Sequence, residues 1–529
     1  MSSLALVVAV GIAILLCANL SPRWGIAPPV LLLIAGLLLG FVPALREVHL
    51  PPEAVLLLFL PILLYWESFT SSLREIRSNL RVIVLMSTIL VALTAAGVAF
   101  AAHGLGLPWG PAWVLGAAVA PTDATAVGVL GKILPRRIAA TLRAESLVND
   151  GTALVIYAVA IGVTVGEDHF SAVRLGGMFV LSYAGGVAIG AVVTFLSVQV
   201  RRRLTDAFQH NLLAVITPLT AYLIAEAFEV SGVLAVVVSG LWVARVSPRL
   251  FPAFARQYVR TVMDFVTSLA NAALFVLVGL EAQSAVRGLS SVGLTRGLLL
   301  VVCVSAVIVV VRFGWLFTSP YVIRAVDRRP QQRARRLSAR PRTVMAAAGF
   351  RGAVSLAAAL AVPHTVSSGA DFPARDLIVF VTAGVIAVTL LVQAPLLPWV
   401  VRWARLPDDH EAERERRRAE IAATTEALEA LPAMAAERGT APEITDQLRL
   451  EYDRRLRVLR ANGDLSADDG LAAGWEEQYV DLRLAVIDHK HATVVRMRDD
   501  GEIDDVVMLE LQDGLDVEAV HLRRSEGRT

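Results

Sequence analysis

Residues 111–165 read PAWVLGAAVAPTDATAVGVLGKILPRRIAATLRAESLVNDGTALVIYAVAIGVTV, two consecutive apolar stretches with a carboxylate near the middle of each. Asp123 lies close to the centre of a span over about 111–133, and Asp150 close to the centre of one over about 136–165. Each stretch is long enough to cross roughly 30 Å of hydrocarbon. An aspartate at that depth costs roughly 2.5 to 3.5 kcal/mol on insertion scales, so it stays only where it faces a cavity or binds a charge. Two of them at a common depth, unpaired in sequence, point to a site for a cation and a proton.

The rest of the chain has the same character. Its 529 residues are 56% hydrophobic with a mean hydropathy of +0.61, too apolar for a soluble protein of this size. Lys+Arg and Asp+Glu nearly cancel at 49 and 47, which implies no nucleic-acid or acidic partner. Cys17 and Cys303 both fall inside apolar runs and form no disulfide framework. The run from Leu4 to Leu20 has no basic region before it and reads as a retained first span rather than a leader.

Apolar stretches recur at about 4–20, 28–45, 53–70, 81–102, 111–133, 136–165, 173–200, 210–229, 231–246, 261–282, 296–323, 343–363 and 376–403. The sequence thus predicts an all-α, polytopic membrane protein of about thirteen spans. Twelve is the alternative count, because only Glu229, Val230 and Ser231 separate the eighth run from the short ninth. Short cytoplasmic connections collect Lys and Arg. Connections after odd-numbered spans are rich in them, and the run from Arg324 to Arg342 alone carries eight. Those after even-numbered spans hold Arg46, Arg174, Arg287, Arg296 and Arg375. This asymmetry places the N-terminus outside and the C-terminus inside, in a plasma (inner) membrane.

With span seven as a linker, spans 1–6 and 8–13 form two sixes that start on opposite sides of the membrane. That is the layout of an inverted-repeat transporter, whose site lies at midplane between interrupted helices. The fifth member of each six carries the interruption signals: Gly116 and Pro121 around Thr122 and Asp123 in span 5, and Gly349 and Gly352 around Arg351 in span 12. Broken helices are therefore expected over about 111–133 and 343–363. From residue 406 the composition turns charged and helix-prone, so residues 1–405 read as the transmembrane domain and 406–529 as a cytoplasmic helical domain. Breaks in that tail are expected near Gly439, Gly463, Gly470 and Gly501. His489 and His491 there are weak candidates for sensing pH.

The chemistry follows from the break in span 5. Pro121 has no amide hydrogen to donate, so carbonyls near it are freed. Those carbonyls and the Thr122 hydroxyl can replace part of a cation's water shell. On span 6, Ser146 and Asp150 are four apart and share a face, while Glu145 and Asn149 form the neighbouring row. Such oxygen ligands suit a hard monovalent ion rather than zinc or copper. A carboxylate in such a site holds either a proton or a metal ion, and alternating access of either form gives exchange. Arg351, the other intramembrane charge, is expected to pair with Glu145 at a similar depth. Glu67, Glu226, Asp264 and Arg312 fall near span ends or in apolar surroundings; they read as interfacial or structural residues, with the lining of an access funnel as the alternative.

The motifs PTD at 121–123, ESLVND at 145–150 and GFRGAVSLA at 349–357 together resemble those of the electroneutral sodium/proton exchanger branch of the monovalent cation:proton antiporter superfamily. The resemblance covers about three quarters of the chain. It implies that Asp150 alternates between proton and cation, and that Asp123, Ser146 and Thr122 complete a Na+ shell. It also implies that Asn149 is the neutral member of an Asn-Asp pair where electrogenic relatives have two aspartates, hence one-for-one exchange. A homodimer is implied too, as is a role in pH homeostasis. The transported ions are then Na+ and H+, with no cofactor. Exchange of K+ or Li+ by the same fold is the nearest alternative; a cation channel or a sensor signalling through the tail is a second. An enzyme is not expected, because His103, His169 and His364 lie in predicted external loops without partner motifs.

Overall fold

The computed structural model describes residues 2–42, 59–71, 73–123, 134–166, 172–251, 253–288, 291–326, 338–406, 411–461, 467–500, 502 and 505–525. Among them the backbone is helical nearly throughout, and extended pairing is confined to an isolated bridge between Thr365 and Asp371. The chain forms two compact units, Met1–Asp408 and Asp409–Thr529.

The first unit contains α1 (Ser2–Trp24), α2 (Pro28–Leu39), α3 (Leu60–Thr70), α4 (Leu73–Gly104), α5 (Trp109–Val119), α6 (Arg136–Val165), α7 (Ala172–Arg201), α8 (Ala207–Ala227), α9 (Gly232–Leu250) and α10 (Ala253–Gly288). It continues with α11 (Ser291–Val326), α12 (Ala339–Ala347), α13 (Ala353–Leu360), α14 (Arg375–Val388), a π-helical turn (Thr389–Gln393) and α15 (Ala394–Ala404). Each of the thirteen expected apolar stretches carries helix. Among the described residues, nine helical stretches are long and apolar enough to cross a membrane.

Local chemistry sets the boundaries. α6 starts directly after Pro135, which is extended and favours a helix beginning at the next residue, and ends at Gly166 in the left-handed region (φ 92). The eighth and ninth stretches are separate helices. Asp206 caps α8 by accepting from the Phe208 and Gln209 amides, and Ser231 caps α9 by accepting from the Leu234 amide at 3.2 Å. Between them Glu229 turns the chain with φ 56.

Packing is close enough that small residues decide it. A Cβ on Gly36 of α2 would sit 2.0 Å from the Val276 carbonyl oxygen, and one on Gly279 of α10 would sit 2.3 Å from that of Leu33. These helices touch backbone to backbone, as membrane helices do when dispersion rather than water exclusion holds them. Gly186 and Gly190 of α7 meet the Ser231 and Ala235 carbonyls at α9 in the same way, and Gly185 meets the Val230 side chain, whereas Gly177 meets nothing within 4 Å.

Two interruptions position the site. α5 stops at Val119, and Ala120–Asp123 run on without helical structure; residues 124–133 of the expected span lie outside the described residues. Helix also fails between Ala347 and Ala353, leaving Gly349, Phe350, Arg351 and Gly352 in open backbone. The two breaks touch, because the Asp123 amide donates to the Phe350 carbonyl at 2.9 Å.

The second unit is a set of helices, α16 (Glu411–Arg438), α17 (Pro442–Ala461), α18 (Ala467–Asp499) and α19 (Asp505–Ser525). α18 and α19 pack through Val480, Ile487 and Leu522. Gly439 ends α16 in the left-handed region (φ 62). Gly470, in contrast, lies inside α18 rather than at a break; one helical glycine costs only about 1 kcal/mol, which a 33-residue helix absorbs. Gly463 and Gly501 lie outside the described residues. His491 Nε2 lies 3.3 Å from Asp516 Oδ1 across the α18–α19 contact.

Candidate cation-binding site

The open backbone after α5 leaves Thr122 with its carbonyl and hydroxyl free of helical hydrogen bonding, and α6 supplies their partners. Ser146 Oγ donates to the Thr122 carbonyl at 2.9 Å, and Asn149 Nδ2 donates to Thr122 Oγ1 at 2.6 Å. These contacts hold the broken segment against a continuous helix. Thr122, Ser146, Asn149 and Asp150 are all buried, at 7%, 3%, 1% and 3% exposure. Asn149 Oδ1 is buried without a hydrogen-bond partner.

A cavity of about 30 Å³ opens between this segment, α3, α6, α10 and α13. That is room for a water or two, the scale of a partly dehydrated ion. Thr122, Asp123, Ser146 and Asp150 line it together, so the structure brings the four expected cation-site residues to one place. Asp123 lies directly against Gly352: a Cβ there would fall 1.6 Å from Asp123 Oδ2. Glycine at 352 is thus a steric requirement of the aspartate on the opposite break.

Three further polar residues line the same cavity: Glu67 from α3, Asn271 from α10 and Ser355 from α13. Of the two roles open to Glu67 from sequence, an interfacial or structural one and the lining of an access funnel, its place on the cavity agrees with the second. Glu67 is partly buried, between Trp66 and Ser68, which are 6% and 0% exposed, and it faces the cavity. Ser355, 1% exposed, has no hydrogen-bond partner for its hydroxyl. It stands in the first turn of α13, where a serine has no regular helical turn before it to bond back to.

The ion pair expected between Arg351 and Glu145 does not form. Glu145 is held by Arg312 of α11, with Arg312 Nη1 2.6 Å from Oε1 and Nη2 3.4 Å from Oε2. Arg312 also donates from Nε and Nη2 to the Met345 carbonyl near the end of α12. Arg351 is satisfied by backbone instead: Nε donates to the Val119 carbonyl at 2.9 Å, Nη2 to that of Ala120 at 3.5 Å, and Nη1 to that of Gly349 at 2.6 Å. The physical reason is the breaks themselves. Each interrupted helix ends in carbonyls with no partner and a partial negative charge, and a guanidinium with five donors answers both. The π-helical turn takes part, because Thr389 Oγ1 accepts from the Arg351 amide at 3.3 Å and Gln393 Nε2 donates to the Ala347 carbonyl at 2.7 Å.

Asp264, for which an interfacial or structural role was expected, accepts from the Trp66 indole at 2.7 Å. Among the described residues, no group of three or more His, Cys, Asp or Glu side chains is arranged to hold a resident metal ion.

Two interrupted helices whose breaks touch in an apolar helical unit, with carboxylates on a small cavity beside them, define a membrane transporter of the broken-helix class. The chain belongs to the sodium/hydrogen exchanger family: the family model described as "Sodium/hydrogen exchanger, transmembrane" matches residues 10–403. It is a multi-pass membrane protein. It is 43% identical over 521 residues to an uncharacterized Na+/H+ exchanger of Mycobacterium bovis, covering 98% of this chain and 96% of the relative. It is 30% identical over 409 residues to a sodium, potassium, lithium and rubidium/H+ antiporter of Bacillus pumilus, covering 74% of this chain and 60% of that protein. The fold is similar to that of the sodium proton antiporter MjNhaP1 from Methanocaldococcus jannaschii, with a TM-score of 0.57 and 18% identity over 76% of this chain and 99% of that one.

Proposed function

We propose that the protein exchanges Na+ for H+ across the plasma membrane, one for one, with the two ions competing for Asp150. The observation that carries this reading is the cavity in which Asp150, Asp123 and Glu67 meet the broken segment at Thr122. Three carboxylates around so small a space repel one another unless a cation or protons occupy it, which is the condition for competition. Asp123, Ser146 and Thr122 supply further oxygens to the cation. Asn149 holds Thr122 in place and adds no second titrating group on α6, in keeping with electroneutral exchange. Arg351 and Arg312 neutralise the interrupted helix ends and Glu145, so neither is a ligand. Thirteen spans, an external N-terminus, a cytoplasmic C-terminus and a homodimer complete the proposal.

Exchange by competition has a direct equilibrium signature. Adding Na+ to the purified protein in weakly buffered detergent releases protons, and the apparent Na+ affinity falls toward tenfold per unit of pH below the range in which the site titrates. Both effects vanish in Asp150→Asn. Na+ binding with no proton release at any pH between 5 and 9 overturns the competition model. The Bacillus pumilus relative, named for four alkali cations, favours running the same titration with K+, Li+ and Rb+; a response to K+ equal to that for Na+ establishes the broader exchanger instead.

A further inference from the structure

Thr122, Asp123, Ser146 and Asp150 all belong to the broken segment and α6, but α10 contributes to the same cavity through Asn271. This residue stands at the midpoint of its helix and is half-buried. A primary amide in the middle of a membrane helix is costly unless something polar answers it. Asp264 and Thr267, earlier on α10, are answered: Asp264 accepts from the Trp66 indole, and Thr267 Oγ1 donates to the Met263 carbonyl at 2.7 Å. Asn271 differs, because no hydrogen bond from the described residues reaches its carboxamide. Its neighbours Ala270 and Leu274 join Leu63 and Ala357 in an apolar cluster, so the polar surroundings of the amide are those of the cavity.

A carboxamide carries an acceptor oxygen and two N–H donors on one rotating group. Both serve a site that trades Na+ for a proton. Na+ attracts Asp150, Asp123 and Glu67 together, and a neutral carbonyl oxygen joins its shell without adding charge. A proton bonds to one carboxylate and leaves the others charged and facing each other. In that state the N–H groups have anions to donate to, and a hydrogen bond to a charged group is the stronger kind. Other donors beside the cavity are already committed. Ser146 Oγ donates to the Thr122 carbonyl, and Asn149 Nδ2 donates to Thr122 Oγ1.

We propose that Asn271 is a further residue of the ion site: its carboxamide oxygen coordinates Na+, and its N–H groups donate to the cavity's carboxylates when a proton has taken the ion's place. The inference rests on competition between Na+ and H+ at Asp150. Calorimetric titration of Na+ into the purified full-length protein, repeated over a series of pH values, reads both halves of it. The alkaline plateau gives the affinity for Na+ with no proton competing, and the pH below which that affinity declines reports the proton. Asn271→Ala loses the oxygen and the donors together. Its plateau affinity for Na+ falls by about tenfold and the decline begins about one pH unit higher, the scale of one hydrogen bond to a charged group. Asn271→Asp keeps the shape and an oxygen but exchanges the donors for a fourth carboxylate. It binds Na+ no more weakly than the wild type, while the decline begins at higher pH. Thr267→Val, one turn earlier on α10, leaves both values unchanged. An Asn271→Ala protein with wild-type Na+ affinity and wild-type pH dependence overturns the inference. So does an equal loss in Thr267→Val, which marks a general disturbance of α10. Should Asn271→Ala not fold, the near-isosteric Asn271→Asp decides, and an unchanged pH dependence in that variant overturns the inference. Failure of the exchange reading looks different: the wild-type affinity for Na+ then shows no decline at low pH, and this inference falls with it.

Discussion

The pairing of Glu145 with Arg312 rather than Arg351 can be tested by double-mutant cycles on stability. Glu145 and Arg312 are 8% and 2% exposed at the side chain and meet at 2.6 Å. Removing one partner of such a pair leaves a buried charge unanswered, at a cost of about 3 to 5 kcal/mol. With roughly 2.1 cal/mol/K of unfolding entropy per residue, the unit Met1–Asp408 loses about 1 °C of Tm per kcal/mol. Glu145→Gln and Arg312→Gln should therefore each lower Tm by about 4 °C. The double substitution should lower it by little more than either alone, because the second change removes the charge the first one stranded. Glu145→Gln with Arg351→Gln should add within about 0.5 kcal/mol, since the two share no hydrogen bond. Unfolding of purified variants in detergent, followed by intrinsic tryptophan fluorescence, gives all the values. Additivity at 145 and 312 together with strong non-additivity at 145 and 351 would refute the assignment and restore the pairing read from sequence.

Two other substitutions probe the cavity. Gly352→Ala places a methyl 1.6 Å from Asp123 Oδ2, so Asp123 must move; the apparent affinity for Na+ should fall at least tenfold while Tm changes by only a few degrees, and unchanged affinity would show that Asp123 does not hold the ion. Glu67→Gln removes one of three carboxylates from the cavity and should raise the KM for Na+ several-fold with kcat little altered, as measured by quenching of a pH-sensitive dye in vesicles; an unchanged KM would leave Glu67 a bystander.

Much of this architecture is legible in the chain because membrane helices follow hydropathy and length. The thirteen apolar stretches mark where helix forms, and Pro135 and Gly166 bound α6 at the residues expected. Proline and glycine beside a charge likewise mark the failure of helix at Pro121 and around Arg351. Pairing is less legible, because depth along a span fixes only one coordinate of a side chain. Glu145, Arg312 and Arg351 all lie deep, and depth alone favoured Arg351. The breaks that make Arg351 conspicuous in sequence also create the carbonyls that satisfy it, and no residue pattern shows where those carbonyls point. Arg312, near the centre of 296–323, carried a signal of its own: a mid-span arginine needs a partner. Glu67 was legible only as one of two roles, because nearness to a span end fits an interfacial residue and a cavity-lining one equally.

In the proposed exchange Asp150 carries either the proton or the cation. Proteoliposomes loaded with Na+, holding a pH-sensitive dye, with membrane potential set by potassium and valinomycin, test it most directly. Competition at Asp150 predicts Na+-driven proton movement in the wild-type protein at a rate independent of potential, and none above background in Asp150→Ala reconstituted to equal density. Sustained Na+-driven proton movement in Asp150→Ala would contradict it.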